Sequence, residues 1–363
     1  MAAQYKNLIG GEMVDNGQWL DVVNPANEQV IGQVPACGEA ELNKAVSAAR
    51  AAFKTWSKTP IEERRAAVQK ISAIIKENAD ELMRLLTSEQ GKPHAQAKGE
   101  VIGAAMMSSA QSTFDLDDEI NEDSETRLSR TRRVPVGVVA GIVPWNFPVM
   151  MAVQKIAPAM LSGCTIVLKP SPFTPLTTLR LAELIKDAAP AGVVNIITGE
   201  DSLGPLMTSH PDINKITFTG STATGKKIME GASKDLKRIT LELGGNDASI
   251  VLPDADVAKV AEQLFWSSFT NAGQICVAAK RIYIHEDIYD EMSTAIAEYA
   301  KHVKVGDGAE QGTAVGPIQN KKQYERVIEL VQDAKDNGYK FLVGGDHDPD
   351  VPGYYMPITI LDN

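Results

Sequence analysis

From Val136 onward, short runs of β-branched residues alternate with segments of helix length, and this alternation limits the folds open to the chain. Five runs are predicted as strands, at 136–143, 165–168, 193–197, 215–218 and 238–241. Thr174 with Pro175, and Ser221 further on, are start signals for two of the helices between them. Because such alternation is typical of βαβ units, we predict a parallel sheet in a doubly wound, Rossmann-like α/β domain.

The regions on either side of this alternation have patterns of their own. Apolar residues at helical spacing predict two helices before it, over 39–58 and 61–90. The polar segment 121–133 suits either a solvated linker or an exposed hairpin. A second strand–helix series is predicted at 248–252, 256–270, 281–285 and 287–303. A chain of 363 residues with two such series is expected to form two α/β domains.

Charge and cysteine content narrow the class of protein. The chain has 36 Lys and Arg against 47 Asp and Glu, a net charge of −11, which disfavours nucleic-acid and membrane partners. Its 3 cysteines are scattered, so a disulfide framework is not expected. The 5 histidines are not at metal-ligand spacing, and we expect no metal site. Since residues 1–20 lack the pattern of a signal peptide, a cytoplasmic protein is expected.

The glycine-rich segment 220–226 (GSTATGK) lies between a predicted strand and a predicted helix. Backbone N–H groups and the helix dipole could hold a phosphate there, or the segment could simply cap the helix. Its spacing is similar to the phosphate loop of nucleotide triphosphatases, which leaves a nucleotide hydrolase as an alternative. However, Lys227 stands where that loop needs a hydroxyl for magnesium, and this disfavours the alternative.

Three further side chains are candidates for catalysis. Cys276 follows a Gly-containing turn, so it could be an activated nucleophile or, like most free cysteines, a buried inert thiol. Glu242 ends an apolar strand before two glycines, and it could be a general base or a surface residue. Asn146 lies between two prolines after a predicted strand, where its amide could donate to a developing oxyanion.

Five segments of the chain closely resemble the aldehyde dehydrogenase superfamily, in that family's order: PWNFP at 144–148, KPSPFTP at 169–175, FTGSTATG at 218–225, LELGGN at 241–246 and NAGQICVA at 271–278. The resemblance implies an NAD(P)-dependent enzyme of the hydrolytic branch. It assigns 1–117 and 136–243 to a cofactor-binding domain, 118–135 to part of an oligomerisation hairpin, and 244–363 to a catalytic domain. A homodimer or homotetramer is implied for the complete enzyme.

The resemblance also implies roles for individual residues. Cys276 would attack the aldehyde, Asn146 would hold the oxyanion, Glu242 would activate the hydrolytic water, and Lys169 would complete the catalytic set. The implied cofactor-binding residues are Ile142, Pro144, Trp145, Lys169, Ser171, Gly199, Gly204, Phe218, Gly220, Ser221, Glu242, Leu243 and Gly244. The implied substrate tunnel consists of Phe147, Met151, Gln154, Trp266, Thr270, Ile275 and Val277.

The chain departs from the family pattern in two places. Pro172 stands where many NAD-preferring members have a glutamate that binds the ribose, so we expect that either NAD or NADP serves as cofactor. The chain also ends before the family's E-x-F-G-P segment. A C-terminally truncated catalytic domain is therefore expected, and a non-catalytic cofactor-binding fragment is an alternative.

The implied tunnel contains no basic residue. A desolvated carboxylate is costly unless it meets a cation. We therefore expect a neutral aliphatic or aromatic aldehyde as substrate, rather than a carboxylated semialdehyde.

Overall fold

A seven-stranded sheet forms the centre of the larger part of the molecule in the computed structural model, which describes residues 2–362. The strands are β1 Ala3–Gln4, β2 Asn7–Ile9, β3 Glu12–Val14, β4 Trp19–Val23, β5 Val30–Pro35, β6 Glu119–Ser124, β7 Arg127–Thr131, β8 Val138–Ile142, β9 Thr165–Lys169, β10 Val194–Ile196, β11 Lys215–Thr219, β12 Arg238–Glu242, β13 Ala248–Val251, β14 Arg281–Ile284, β15 Lys340–Val343 and β16 Ile360–Asp362. The helices are α1 Glu39–Trp56, α2 Ile61–Glu77, α3 Ala79–Gln90, α4 His94–Gln111, α5 Pro148–Leu161, α6 Leu176–Ile185, α7 Leu203–Ser209, α8 Thr222–Ser233, α9 Val257–Phe269, α10 Tyr289–Lys301 and α11 Lys321–Asp336. Residue 1, where the first predicted domain begins, and residue 363, where the second one ends, lie outside the described residues.

The strand order of the central sheet is β12-β11-β8-β9-β10-β2-β3. The strands from β12 to β10 pair in parallel, whereas β2 and β3 pair antiparallel at one edge. Every residue of β9 is buried, as is expected for a strand covered on both faces. The predicted parallel sheet of a Rossmann-like domain is therefore confirmed.

Helices cover both faces of this sheet. Val139, Ile166 and Leu168 face one core, which α2, α3, α4, α5 and α6 complete. Val138 and Val167 face a second core with α1, α7 and α8. This alternation along β8 and β9 follows from the two-residue period of a strand, and it gives the doubly wound, three-layer arrangement.

The helices before the sheet differ from the prediction. The single helix predicted over 61–90 is wrong, because α2 and α3 are separated at Asn78. The Asn78 side-chain Nδ2 donates to the Ile74 carbonyl O at 2.8 Å, a local bond that competes with the helical ladder. The helix α4 was not predicted at all. Its sequence is rich in Ala, Gly and Ser and does not concentrate apolar residues on one face, so periodicity gives only a weak signal.

The segment between α4 and β8 is an exposed antiparallel hairpin of β6 and β7, one of the two arrangements that the sequence allowed. Beyond the central sheet, β13 and β14 pair in parallel and pack on α9 and α10. The second predicted strand–helix series is therefore confirmed in its order. An antiparallel pair, β15 with β16, follows α11 in the chain, and β15 contacts α10. Within residues 2–362, no helix combines the length and the apolar character needed to cross a bilayer.

We predict that Gly137→Ala destabilises the central sheet. Gly137 has φ +122, and an added Cβ would overlap the Asn214 side chain, whose Oδ1 accepts from the Val138 N–H at 2.9 Å. Backbone strain and the lost bond should lower the free energy of unfolding by about 2 kcal/mol in urea denaturation. The control is Gly99→Ala on α4, where an added Cβ meets nothing within 4 Å and should be neutral or slightly stabilising. Equal unfolding midpoints for the two variants would contradict the prediction.

Candidate active site

The carboxyl ends of the parallel strands bring several predicted cofactor residues together. In the strand register, Ile142 is the neighbour of both Lys169 and Phe218, and Thr219 is the neighbour of Glu242. These residues end β8, β9, β11 and β12 at one edge of the sheet. This edge is where open α/β sheets bind their ligands.

A cleft of about 890 Å³ opens beside this edge. The predicted site residues that line it are Pro144, Trp145, Asn146, Phe147, Met151, Gly220, Ser221, Leu243, Gly244, Ile275 and Cys276. Its wall, as far as residues 2–362 describe it, does not include Ile142, Gln154, Lys169, Ser171, Gly199, Gly204, Phe218, Glu242, Trp266, Thr270 or Val277. The cleft therefore joins part of the predicted cofactor set to the predicted nucleophile.

Four predicted tunnel residues lie outside that wall. Gln154 is exposed on α5, and Val277 is 66% exposed. The Trp266 indole Nε1 donates to the Tyr299 hydroxyl at 2.9 Å, and the Thr270 hydroxyl donates to the Trp266 carbonyl O at 2.5 Å. Trp266 and Thr270 are thus bonded within the unit of α9 and α10.

The turn before Cys276 has an unusual backbone. Asn271 and Ala272 have φ values of 54° and 56°, and Gly273 follows at 72°. A left-handed residue other than glycine costs about 1–2 kcal/mol. Such strain persists only where surrounding contacts fix the backbone, as at functional sites.

The three cysteines differ in their surroundings. Cys276 is exposed in the cleft, whereas Cys37 and Cys164 are buried. Burial raises the pKa of Cys37 to about 12, although its Sγ accepts a hydrogen bond from the Asn7 amide at 2.8 Å. A thiol with such a pKa does not ionise near neutral pH and is not a nucleophile. Cys276 is the thiol that a substrate can reach.

Asn146 is bonded directly to the turn that carries Cys276. Its side-chain Nδ2 donates to the Gln274 carbonyl O at 2.8 Å, and its Oδ1 accepts from the Phe147 N–H at 3.1 Å. A carboxamide nitrogen has two hydrogens, so one remains for another acceptor. The Asn146 amide is therefore held next to Cys276 with a donor to spare.

The glycines after Glu242 pass close to Cys276. A Cβ added at Gly245 would lie 2.9 Å from the Cys276 carbonyl O, so the two backbones are in contact. Glu242 itself is exposed at the end of β12. Asn146 and Cys276 thus line one cleft, whereas Glu242 lies outside its wall, three residues before Gly245.

The family of the chain follows from comparison with known proteins. The model of the aldehyde dehydrogenase family matches residues 13–363. The chain belongs to the aldehyde dehydrogenase family. A probable aldehyde dehydrogenase of Pseudomonas sp. is 44% identical to it over 361 residues. That alignment covers 98% of this chain and 72% of the Pseudomonas protein. The chain is 38% identical to the NADP-dependent succinate-semialdehyde dehydrogenase of Escherichia coli, in an alignment that covers 98% of this chain and 75% of that enzyme.

A solved NAD⁺ complex of aldehyde dehydrogenase from Bacillus cereus is also similar, with a TM-score of 0.95 and 36% identity. The comparison covers 99% of this chain and 74% of that one. The aldehyde dehydrogenase-like α/β fold is therefore confirmed. Membership of this family also argues against the nucleotide-hydrolase alternative.

The glycine-rich segment is a capped helix start in this family member. Ser221 is the N-cap of α8, and its Oγ accepts from the Thr224 N–H at 3.2 Å. Gly220 and Ser221 also line the cleft, so the helix N-terminus faces it. The two interpretations of the sequence are therefore compatible, because the cap leaves the end of the helix dipole available to an anion.

A second lysine beneath the site was missed in the sequence. Lys155 is buried in the middle of α5, where its Nζ donates to the Thr217 and Thr219 hydroxyls at 3.2 and 2.9 Å. Burial lowers the pKa of Lys155 to about 8, and the negative charge of Glu242 partly opposes this. The sequence feature that could have identified Lys155 is that it is a single lysine within the otherwise largely apolar sequence of α5. Lys155 is a cation close to the predicted general base.

Lys169 has a similar environment at the end of β9. The residue is 4% exposed, and burial lowers its pKa to about 8, while the negative charge of Asp201 acts in the opposite direction. A buried ammonium is costly unless it meets a polar partner. Lys169 thus fits a ligand that brings hydroxyl or phosphate oxygens to this edge of the sheet.

Proposed function

We propose that the chain oxidises an aldehyde to a carboxylic acid with NAD⁺ or NADP⁺, using Cys276 as the nucleophile. The observation that carries the proposal is the hydrogen bond from the Asn146 amide to the turn before Cys276, with Asn146 and the exposed Cys276 thiol both lining the cleft. Glu242 is not part of the cleft wall, but the segment that follows it contacts Cys276 through Gly245. This set supplies a nucleophile, an oxyanion donor and a base.

In the proposed reaction, the Cys276 thiol loses its proton to solvent and its sulfur forms a bond to the aldehyde carbon, while the C=O π bond breaks and its electron pair gives the negative oxygen of a thiohemiacetal anion. The negative oxygen accepts hydrogen bonds from the Asn146 side chain and from the Cys276 backbone N–H. When bound, the cofactor supplies the nicotinamide ring that accepts the hydride. The carbonyl of the resulting thioester is then attacked by water, Glu242 takes a proton from that water, and the C–S bond breaks to release the acid.

The proposed cofactor site extends along the strand ends. Ser221 and the N-terminus of α8 would bind the pyrophosphate, and Lys169 would bind the adenosine ribose with Trp145. The other proposed contacts are Ile142, Pro144, Ser171, Gly199, Gly204, Phe218, Gly220, Glu242, Leu243 and Gly244. The supporting observation is that the parallel register places strand ends of this set on one edge of the sheet.

The exposed hairpin of β6 and β7 is proposed as part of an oligomerisation element, in a homodimer or homotetramer of a cytoplasmic enzyme. Its strands have opposite charge, since β6 carries Glu119, Glu122 and Asp123 while β7 carries Arg127 and Arg130. Exposed strand edges readily pair with another chain. In the proposed domain division, residues 118–135 project from the cofactor domain of 1–117 and 136–243, and residues 244–363 form the catalytic domain.

The proposed mechanism predicts different pre-steady-state behaviour for two substitutions. Cys276→Ser should form no burst of reduced cofactor, because no thiohemiacetal forms. Glu242→Gln should keep a burst of up to one equivalent per site followed by slow turnover, because hydride transfer precedes hydrolysis. Absorbance at 340 nm in stopped flow measures both.

The matched control is Cys37→Ala, a change at the buried thiol outside the cleft that should leave the burst intact. A full burst from Cys276→Ser would disprove the proposed nucleophile. Cofactor binding by the wild-type chain without any burst would instead favour a non-catalytic cofactor-binding fragment.

Cofactor choice is predicted to depend on the charges around Lys169. Pro172 offers no carboxylate, so NADP⁺ should be usable, and Pro172→Glu should lower the NADP⁺/NAD⁺ ratio of kcat/KM by about 5- to 30-fold, the value of one charged hydrogen bond. At a pH well below 8, where Lys169 keeps its proton, Asp201→Asn should raise the ratio, because it removes a negative charge that acts on Lys169 and would repel a 2′-phosphate bound there.

The same ratio should fall as the pH rises through about 8, where Lys169 loses its proton. Below that pH the lysine is a cation and attracts the additional phosphate of NADP⁺. Steady-state rates with both cofactors between pH 6.5 and about 9.5 measure this. A ratio that is independent of pH and of both substitutions would mean that other residues select the cofactor.

The proposed substrate is an uncharged aldehyde. The part of the tunnel that lines the cleft, Phe147, Met151 and Ile275, is apolar and suits an aliphatic or aromatic group. Lys280 also lines the cleft, but its exposed Nζ donates to the Gly273 carbonyl O at 3.3 Å. A cation that is solvated and already bonded compensates a buried carboxylate poorly.

We therefore predict a higher kcat/KM for hexanal or phenylacetaldehyde than for succinate semialdehyde. Lys280→Met is the matched variant, and it should leave the rates with uncharged aldehydes unchanged. A clear preference for succinate semialdehyde would overturn the prediction. If that preference disappeared in Lys280→Met, Lys280 would be the residue that binds the carboxylate.

A further inference from the structure

A buried ion pair lies beneath the proposed oxyanion donor. Lys92 and Glu100 have side-chain exposures of 1% and 0%, and the Lys92 Nζ lies 2.5 Å from Glu100 Oε2. Replacing a buried pair of this kind with apolar residues is often neutral for stability. The role of this pair is therefore indicated by the segments that its two charges hold in place.

Both charges hold the segment that begins with Asn146. The Lys92 Nζ donates to the Asn146 carbonyl O at 2.8 Å and lies 3.8 Å from the centre of the Phe147 ring. Glu100 Oε1 accepts from the N–H groups of Val149 and Met150, at 3.0 and 3.2 Å. The ammonium thus fixes the peptide of Asn146, and the carboxylate fixes the first turn of α5, where a negative charge is favourable.

The same helix also holds the nucleophile turn. Gln96 lies on α4 one turn before Glu100, so the two side chains share a face. Its Oε1 accepts from the Asn271 N–H at 3.0 Å, and its Nε2 donates to the Ala314 carbonyl O at 3.0 Å. Asn271 in turn donates through Nδ2 to the Asn146 carbonyl O at 3.1 Å. One face of α4 therefore contacts both the segment of Asn146 and the turn before Cys276. The distance between these two segments determines whether the Asn146 amide can reach the oxyanion.

We propose that Lys92 and Glu100 are positioning residues for aldehyde oxidation, which set the Asn146 amide against the turn of Cys276. The inference rests on the proposed function, because it concerns the oxyanion donor of that reaction. Neither residue lines the cleft within residues 2–362, so neither is assigned contact with substrate. Their effect is transmitted through the Asn146 peptide, and it should vanish when the Asn146 side chain is removed.

The test is a double-mutant cycle that measures the burst rate at saturating aldehyde and cofactor. Lys92→Met should slow the burst about 10- to 100-fold, part of the loss expected for an oxyanion donor, with little change in cofactor affinity. In an Asn146→Ala background, the same change should slow the remaining rate less than about 2-fold, because the two residues act as one unit. Independent effects that multiply in the double variant would overturn the proposal.

Two further variants separate positioning from general destabilisation. Lys98 lies on α4, like Glu100, and forms an exposed ion pair with Asp80 of α3. Lys98→Met removes that pair and should leave the burst unchanged. Glu100→Gln keeps the side-chain oxygen but removes the charge, and it carries the test if Lys92→Met does not fold. Glu100→Gln should slow the burst when Asn146 is present, but not in the Asn146→Ala background. An unchanged burst when Asn146 is present would overturn the proposal.

The proposed function fails separately from this inference. If the wild-type chain forms no burst, or if Cys276→Ser retains it, the proposed chemistry is wrong. If the wild type forms a burst that Cys276→Ser abolishes, but Lys92→Met and Glu100→Gln both match the wild type, only the positioning role is wrong.

Discussion

The parallel register of the strands from β12 to β10 is the constraint on which the rest of the structure depends. Parallel neighbours need a crossover helix, so each strand must end at the same edge and continue into a loop. The side chains of β9 alternate between two separate cores, with Ile166 and Leu168 in one and Val167 in the other, so a shift by one residue would exchange these side chains between the cores. The loops with Asn146, Ser221 and Gly245 therefore open beside one cleft.

The second constraint is the turn of Asn271 and Ala272, whose left-handed backbone is unfavourable by itself. Hydrogen bonds from several distant segments offset that cost. Gln96 binds the Asn271 N–H, the Asn146 carbonyl accepts from the Asn271 amide, and the Gln274 Oε1 accepts from the Gln319 N–H at 2.9 Å. The position of Cys276 is consequently set by long-range polar contacts together with hydrogen bonds inside its own loop, such as the bond from Gln274 Nε2 to the Asn271 carbonyl O.

These two features explain how far the sequence predicts the protein. The strands were predictable because buried β-branched runs such as 165–169 are local signals. Asn146, Glu242 and Cys276 were identified from family motifs, and the structure brings Asn146 and Cys276 to one cleft while Glu242 lies outside its wall. The break at Asn78 depends on one side-chain hydrogen bond, which periodicity does not detect. The Lys92 ammonium donates to the carbonyl O of Asn146, 54 positions away, and such a contact leaves no local pattern in the sequence.

The attachment of Asn271 to Gln96 has a mechanical consequence. The turn before Cys276 follows α9 in sequence, yet it is hydrogen-bonded to α4, a helix that packs against α2, α3 and α5 on one side of the central sheet. A movement of α9 that carried the turn away from α4 would therefore break this bond, together with the bond from Asn271 Nδ2 to the Asn146 carbonyl O. Through these two bonds the turn is tied to α4 and to the Asn146 segment, although the chain enters it from α9.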